Sequence, residues 1–217
     1  AAGPERRPIL SVHVSGSLSG TVATAETARE QMADYPIEII DSRSVSLALG
    51  YAVLAAARLA SAGHSPADCA AAVRAITPHM QMFFMVDTLV YLHRGGRIGG
   101  ATRLLGTMLN LKPLMQIIDG RVEPLERVRT RGKALEKMVE TARARAGEQP
   151  VRLGVLHVAA AAEAARLAET LRGQLSVTEL LEAEATPAIG AHVGPGMLGM
   201  VLYPATADPP ALAQAPR

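Results

Sequence analysis

The chain has 217 residues, 49% of them hydrophobic and 19% charged, which supplies a buried core and excludes a wholly disordered chain. A net charge of +2 is too small to require nucleic acid or an acidic membrane as partner. The lack of Trp and an aromatic content of only 3% weaken a single-stranded nucleic-acid reading, because base-stacking platforms need aromatics.

In chain order, Ile9–Val14 is rich in β-branched residues and predicts a buried strand. The turn S-G-S-L-S-G-T at 15–21 follows, and Ser19–Thr21 opens a helix to about Asp34. Ile37–Ile40 is a second buried strand, closed by Asp41-Ser42. A long Ala/Leu helix, about Val45 to Ala62, ends at Gly63. Ser65-Pro66-Ala67-Asp68 starts another, with a hydroxyl cap, Pro in the first turn and then an acid, and it runs to about Ile76. Short apolar strands alternating with helices predict a parallel α/β sheet.

After Pro78 the pattern changes. Gln81–Val86 reads as a strand, Thr88–His93 as a short helix ending at Gly95-Gly96, and Ala101–Leu109 as a further helix. Lys112–Ile118 and Arg121–Arg127 are strands joined by Asp119-Gly120, a strong hairpin signal. Thr130–Ala146 is an amphipathic helix. Arg152–Val158, Ser176–Ala183 and Gly199–Tyr203 are strands, with a helix at Ala161–Leu171. The expected fold class is therefore α/β: an N-terminal parallel-sheet α/β domain at 1–78, then an α+β domain with a mostly antiparallel sheet at 79–205. The Pro- and Ala-rich stretch 206–217 reads as a disordered tail.

Four places carry residues suited to chemistry. In S-G-S-L-S-G-T a strand feeds a helix start, where unpaired N–H groups and hydroxyls of Ser15, Ser19 and Thr21 can hold an anion without Lys or Arg. A plain helix cap by Ser17 or Ser19 accounts for the same residues. The Lys-Ser/Thr ending of a P-loop and the full G-x-S-x-G spacing are both missing. A-H-V-G-P-G-M-L-G at 191–199 fits G-x-G-x-x-G, but no βαβ unit can follow it and the acid expected downstream would fall past the last residue. Its glycines suit close backbone approach, and His192 is either structural or a hydrogen-bond donor to an anion. R-G-G-R-I-G-G at 94–100 is a glycine turn with solvated arginines or a positive lip at a cleft. E-R-V-R-T-R-G-K at 126–133 is a solvated strand end or a basic docking surface. The six histidines show no i, i+4 pairing, so no metal site is expected, nor is any cofactor.

The single cysteine, Cys69, allows no internal disulfide and suits a buried small hydrophobe in a reducing cytoplasm. The opening A-A-G-P-E-R-R-P has no apolar run of the secretory type, and the expected location is cytoplasmic.

Taken in order, "SVHVSGSLSGTVATA", "IIDSRSVSLALGY", "DTLVYLHRGGRIGG", "LLGTMLNLKPLMQIIDGRVEPLERVRTRGKAL" and "AHVGPGMLG" resemble the DegV family of bacterial fatty-acid-binding proteins, over about residues 9 to 203. The resemblance implies two domains and one long-chain fatty acid, its acyl chain in an apolar tunnel and its carboxylate at the mouth. It further implies a substrate-carrying subunit, not itself an enzyme, that presents the carboxylate to a separate ATP-binding fatty acid kinase subunit for acyl-phosphate formation. Transient contact with a membrane surface belongs to the same expectation, and nucleic acid does not.

Matched motif by motif, the resemblance implies carboxylate binding by Ser19, with Gly20 and Thr21 beside it, and by His192. It implies a role at the site mouth or in kinase docking for Arg129 and Arg131, and Arg97 is assigned with them. Phe83, Phe84, Met108, Leu111 and Met115 are the tunnel candidates, with core packing as the alternative for each. Family members carry a further segment before this point, with a Thr-Ser-x-Pro loop whose Thr also binds the carboxylate. No stretch here matches it, so the first domain is expected to be incomplete. The alternatives are a stand-alone small-molecule phosphotransferase, which the lack of a Walker A motif disfavours, and a non-lipid interaction module built on the arginine segments.

Overall fold

The computed structural model describes residues 7–104 and 112–214. The chain divides into two compact units, Ala1–His79 with Ala207–Arg217, and Met80–Thr206.

In the first unit, β1 (Ile9–His13) and β2 (Ile37–Asp41) pair in parallel, from Ile9 opposite Ile37 to His13 opposite Asp41. The crossover between them is α1 (Thr21–Gln31). The strand expected to be buried at 9–14 is only half-buried along β1, because that sheet has two strands among the described residues and β1 has one neighbour. The unit's core lies between α2 (Ser46–Ser61) and α3 (Pro66–Ile76). Ala48, Ala52, Ala55 and Ala56 beside Tyr51 and Leu59 make one α2 face smooth enough for close approach, and Cys69, Val73 and Ile76 meet it from α3. Burial pushes the Cys69 thiol pKa up, as an inert core cysteine requires. The α3 start is a full capping box: the Asp68 N–H donates to Ser65 Oγ and the Ser65 N–H to Asp68 Oδ2.

The second unit holds β3 (Gln81–Met85), α4 (Val90–Arg94), β4 (Lys112–Ile118), β5 (Arg121–Val128), α5 (Arg131–Ala146), β6 (Val151–His157), α6 (Ala161–Gln174), β7 (Val177–Glu184), α7 (Pro187–Val193) and β8 (Leu198–Pro204). Six strands form one sheet in the order β5-β4-β3-β8-β6-β7, antiparallel except for β6 and β7, which α6 connects. Asp119 and Gly120 both take positive φ, 50° and 77°, as a two-residue hairpin turn demands. One face of the sheet packs under α5 and α6, where Ala134, Met138 and Leu167 meet Phe83, Leu114 and Leu153.

One expectation changes here. Residues 207–214 are not a structureless tail. A final helix, α8 (Pro210–Gln214), packs against α2 and buries Leu212, because a Pro-Pro start sets the first helical φ and one leucine finds an apolar seat. Phe83 and Phe84 part company. Consecutive strand residues point to opposite faces, so Phe83 enters the core under α5 and α6, the packing alternative expected for it. Phe84 lies on the other face in one cross-strand row with Met115, Gly199 and Leu156, all buried. Met108 and Leu111 lie outside the described residues.

Candidate functional site

The turn at 15–21 leaves the end of β1 and is held mainly by its own backbone. The Leu18 and Ser19 N–H groups both donate to the Ser15 carbonyl, and the Ser17 N–H donates to Ser15 Oγ at 3.2 Å. Ser15 N–H donates to the Ser44 carbonyl at 2.8 Å and Gly16 N–H to Asp41 Oδ2 at 3.2 Å, which ties it to the last residue of β2 and the loop beyond. Neither Ser17 nor Ser19 caps the helix. The cap position of α1 belongs to Gly20, which makes no side-chain bond, and Ser19 Oγ receives only the Thr21 N–H at a long 3.4 Å. The Ser19 and Thr21 N–H groups are thus used within the turn, and their neutral hydroxyls stand at a helix start with no acidic residue in its first turn.

His192 sits in the last turn of α7, which packs on α4. Its Nδ1 is buried with no hydrogen-bond partner. The ring lies directly over Gly95, where a Cβ would overlap Nδ1 and come within 2.8 Å of Cε1. Two residues on, Gly194 takes φ 78° and ψ 170°, a region that only glycine occupies readily, and a Cβ there would come within 2.5 Å of Tyr91 Cε2.

The arginines differ in kind. Arg129 is exposed, and Arg97 is exposed with Nη1 donating to the Gly95 carbonyl at 2.6 Å. Arg131 is engaged internally, through Nε to Glu163 at 2.7 Å and Nη1 to Asp87 at 3.2 Å. Two carboxylates of its own unit hold it. Ser19, Gly20 and Thr21 lie in the first unit, and His192 and the three arginines in the second.

A family profile described as "Uncharacterised protein, DegV family" matches residues 3–205. The chain belongs to the DegV family. A DegV domain-containing protein of Streptomyces coelicolor is 43% identical over 195 residues, which is 89% of this chain and 69% of that protein. Protein DegV of Bacillus subtilis is 32% identical over 194 residues, covering 88% and 69%. Among solved structures, a DegV family protein from Thermus thermophilus, described by its fatty acid binding, matches with a TM-score of 0.84 at 38% identity, covering 91% of this chain and 71% of that one. The structure of DegV, a fatty acid binding protein from Bacillus subtilis, matches at 0.79 and 31% identity, covering 91% and 71%.

Three features of this DegV chain escaped the sequence. The helix α7 that carries His192 was signalled only by Thr186-Pro187 before it and Gly194 after it. The second is the loop at 41–46, for which the sequence predicts only a strand end at Asp41-Ser42 and a helix from about Val45. It places Ser42 and Ser44 in buried positions and holds Arg43 and Ser46 at positive φ, 49° and 55°, beside the 15–21 turn. That strain sits at the C-terminal ends of two parallel strands, where open α/β sheets place their ligands. The third is Asp87, whose Oδ1 accepts from Lys112 Nζ at 2.9 Å as well as from Arg131.

Burial pushes the Asp87 carboxyl pKa up, but the hydrogen bonds and charges of Lys112 and Arg131 outweigh it, and the net direction is down. A carboxyl lowered in the folded state adds stability above its unfolded pKa of about 3.9 and loses it as pH falls through the folded value. Stability is therefore expected to decline below about pH 4 more steeply in the wild type than in Asp87→Asn, read by urea unfolding at stepped pH. Parallel acid limbs in the two proteins would remove Asp87 from the account.

Among the described residues, no group of three or more His, Cys, Asp or Glu side chains could hold a metal ion, and no helix is long and apolar enough to cross a membrane.

Proposed function

We propose that this chain binds a long-chain fatty acid and presents its carboxylate to a separate ATP-binding fatty acid kinase subunit, as a cytoplasmic carrier with no catalytic residues of its own. The observation that carries the binding step is the likeness to the Thermus thermophilus fatty-acid-binding structure at 38% identity over 91% of the chain. The site chemistry supports it. Ser19 and Thr21 offer uncharged hydroxyls beside Gly20, and His192 offers an imidazole whose Nδ1 makes no hydrogen bond within the protein. A carboxylate held by such groups stays available as a nucleophile toward a phosphoryl donor, whereas a tight ion pair with an arginine would hold it back.

The acyl chain supplies the affinity. Each buried methylene contributes about 0.8 kcal/mol, so about 15 of them bring on the order of 12 kcal/mol before the cost of association. Phe84 and Met115 remain the described tunnel candidates, since they share one buried sheet face, with Gly199 between Phe84 and Leu156 on it. Arg129 and Arg97 are proposed as the docking arginines.

Native mass spectrometry of the chain, purified without denaturant, tests the reading. A mass increment equal to one fatty acid, or uptake of added oleate by delipidated protein, is the expected result. A lipid-free protein that takes up no oleate would sink it. In the coupled assay, Arg129→Ala is expected to leave oleate binding unchanged while slowing acyl-phosphate formation by the kinase subunit. ATP turnover by this chain alone would instead support a stand-alone phosphotransferase.

A further inference from the structure

The segment His192–Gly196 is held at three points, each of which needs a missing side chain. The His192 ring occupies the space above Gly95, and Tyr91 occupies the space beside Gly194. At Gly196, with φ 80°, a Cβ would lie 2.6 Å from Asp87 Oδ2 and 3.4 Å from Arg131 Nη1. The Gly196 N–H donates to the Val158 carbonyl at 2.8 Å, which fixes the height of the loop over the end of β6. Asp87 and Arg131 close its far side.

These two residues belong to a four-membered ion cluster. Asp87 Oδ1 is shared by Lys112 and Arg131, and Arg131 Nε reaches Glu163. Four structural pieces meet there: the loop after β3, the start of β4, the first residue of α5 and the first turn of α6. Two cations face two carboxylates, so the cluster is neutral as a set and has no charge left over to recruit an anion. What it does offer is rigidity, because a planar guanidinium bonded on two edges cannot rotate.

We infer that Asp87 and Arg131 are positioning residues for His192, acting through Gly196 and the His192–Gly196 segment rather than by touching ligand. The inference rests on the fatty-acid reading for its functional consequence. Arg131 then serves the site from within the fold, and the docking role passes to other arginines.

The test uses the full chain in four versions: wild type, Asp87→Asn, Arg131→Ala and Arg131→Lys. Oleate affinity is read by displacement of a fluorescent fatty acid, and the His192 ring by its imidazole ¹⁵N signals. Asp87→Asn and Arg131→Ala are expected to weaken oleate binding about 10-fold, the scale of coupling within one polar network, and to shift the His192 signals. Arg131→Lys keeps the charge and should recover part of both. Should either variant fail to fold, Glu163→Gln removes one arm of Arg131 at the rim and is expected to move the same signals in the same direction. Unchanged oleate affinity and unchanged His192 signals, with only the melting temperature lowered, would overturn the inference and leave a purely structural ion cluster. Failure of the wild type to bind oleate would strike the fatty-acid reading instead, and the imidazole signals would still decide the positioning.

Discussion

Gly194→Ala is expected to cost about 3 kcal/mol of unfolding free energy, combining about 1–3 kcal/mol of backbone strain with about 1–3 kcal/mol of overpacking. The strain follows from φ 78° with ψ 170°, and the overpacking from a Cβ within 2.5 Å of Tyr91 Cε2. Urea unfolding should show the midpoint falling with little change in slope. Adding Tyr91→Ala should relieve the overpacking and leave the strain, so the double variant is expected to recover about half of the loss. Gly132 is the control. It lies in the first turn of α5 with nothing within 4 Å of its missing Cβ, and Gly132→Ala should stabilise by about 0.5–1 kcal/mol. A Gly194→Ala variant as stable as the wild type would mean that the loop reaches its seat by another backbone path.

His192→Ala and Ser19→Ala are expected to weaken fatty-acid binding by about 10-fold or more each. A hydrogen bond to a charged group contributes about 1.5–3 kcal/mol, and 1.4 kcal/mol is tenfold in affinity. Both side chains are only partly buried, so the melting temperatures should stay near that of the wild type. Gly95→Ala supplies an independent check, because its methyl would take the place of the His192 ring without removing the imidazole. It is expected to reproduce the binding loss of His192→Ala. Titration of delipidated protein with oleate reads all three, and full affinity in both His192→Ala and Ser19→Ala would refute the assignment of these residues.

Much of the secondary structure was legible because its causes are local. Ser65 and Asp68 close a capping box within four residues, and Asp119-Gly120 selects its hairpin within two. The N-terminal parallel strand pair and the mixed second sheet followed from apolar runs, crossover helices and that hairpin. Helix α7 was missed because seven residues are too few to display a 3.6-residue period, and P-A-I-G-A-H-V has no continuous apolar stripe. The tail was misjudged for the converse reason. Its Pro and Ala content resembles a linker, and only the seat of Leu212 shows that it packs.

What the sequence by itself determined are the features set by a few neighbouring residues: caps, turns, strand periods, the neutral hydroxyl turn and the motifs that mark the DegV family. The tertiary structure alone decided which face of the sheet Phe83 and Phe84 each enter, that His192 rests on Gly95, and that Arg131 is held by Asp87 and Glu163. Each of these is a contact between residues far apart in the chain. A propensity or a motif acts through bonds and neighbours a few residues away, whereas the face a side chain enters and the partner it meets are settled only when separate elements compete for the same buried space.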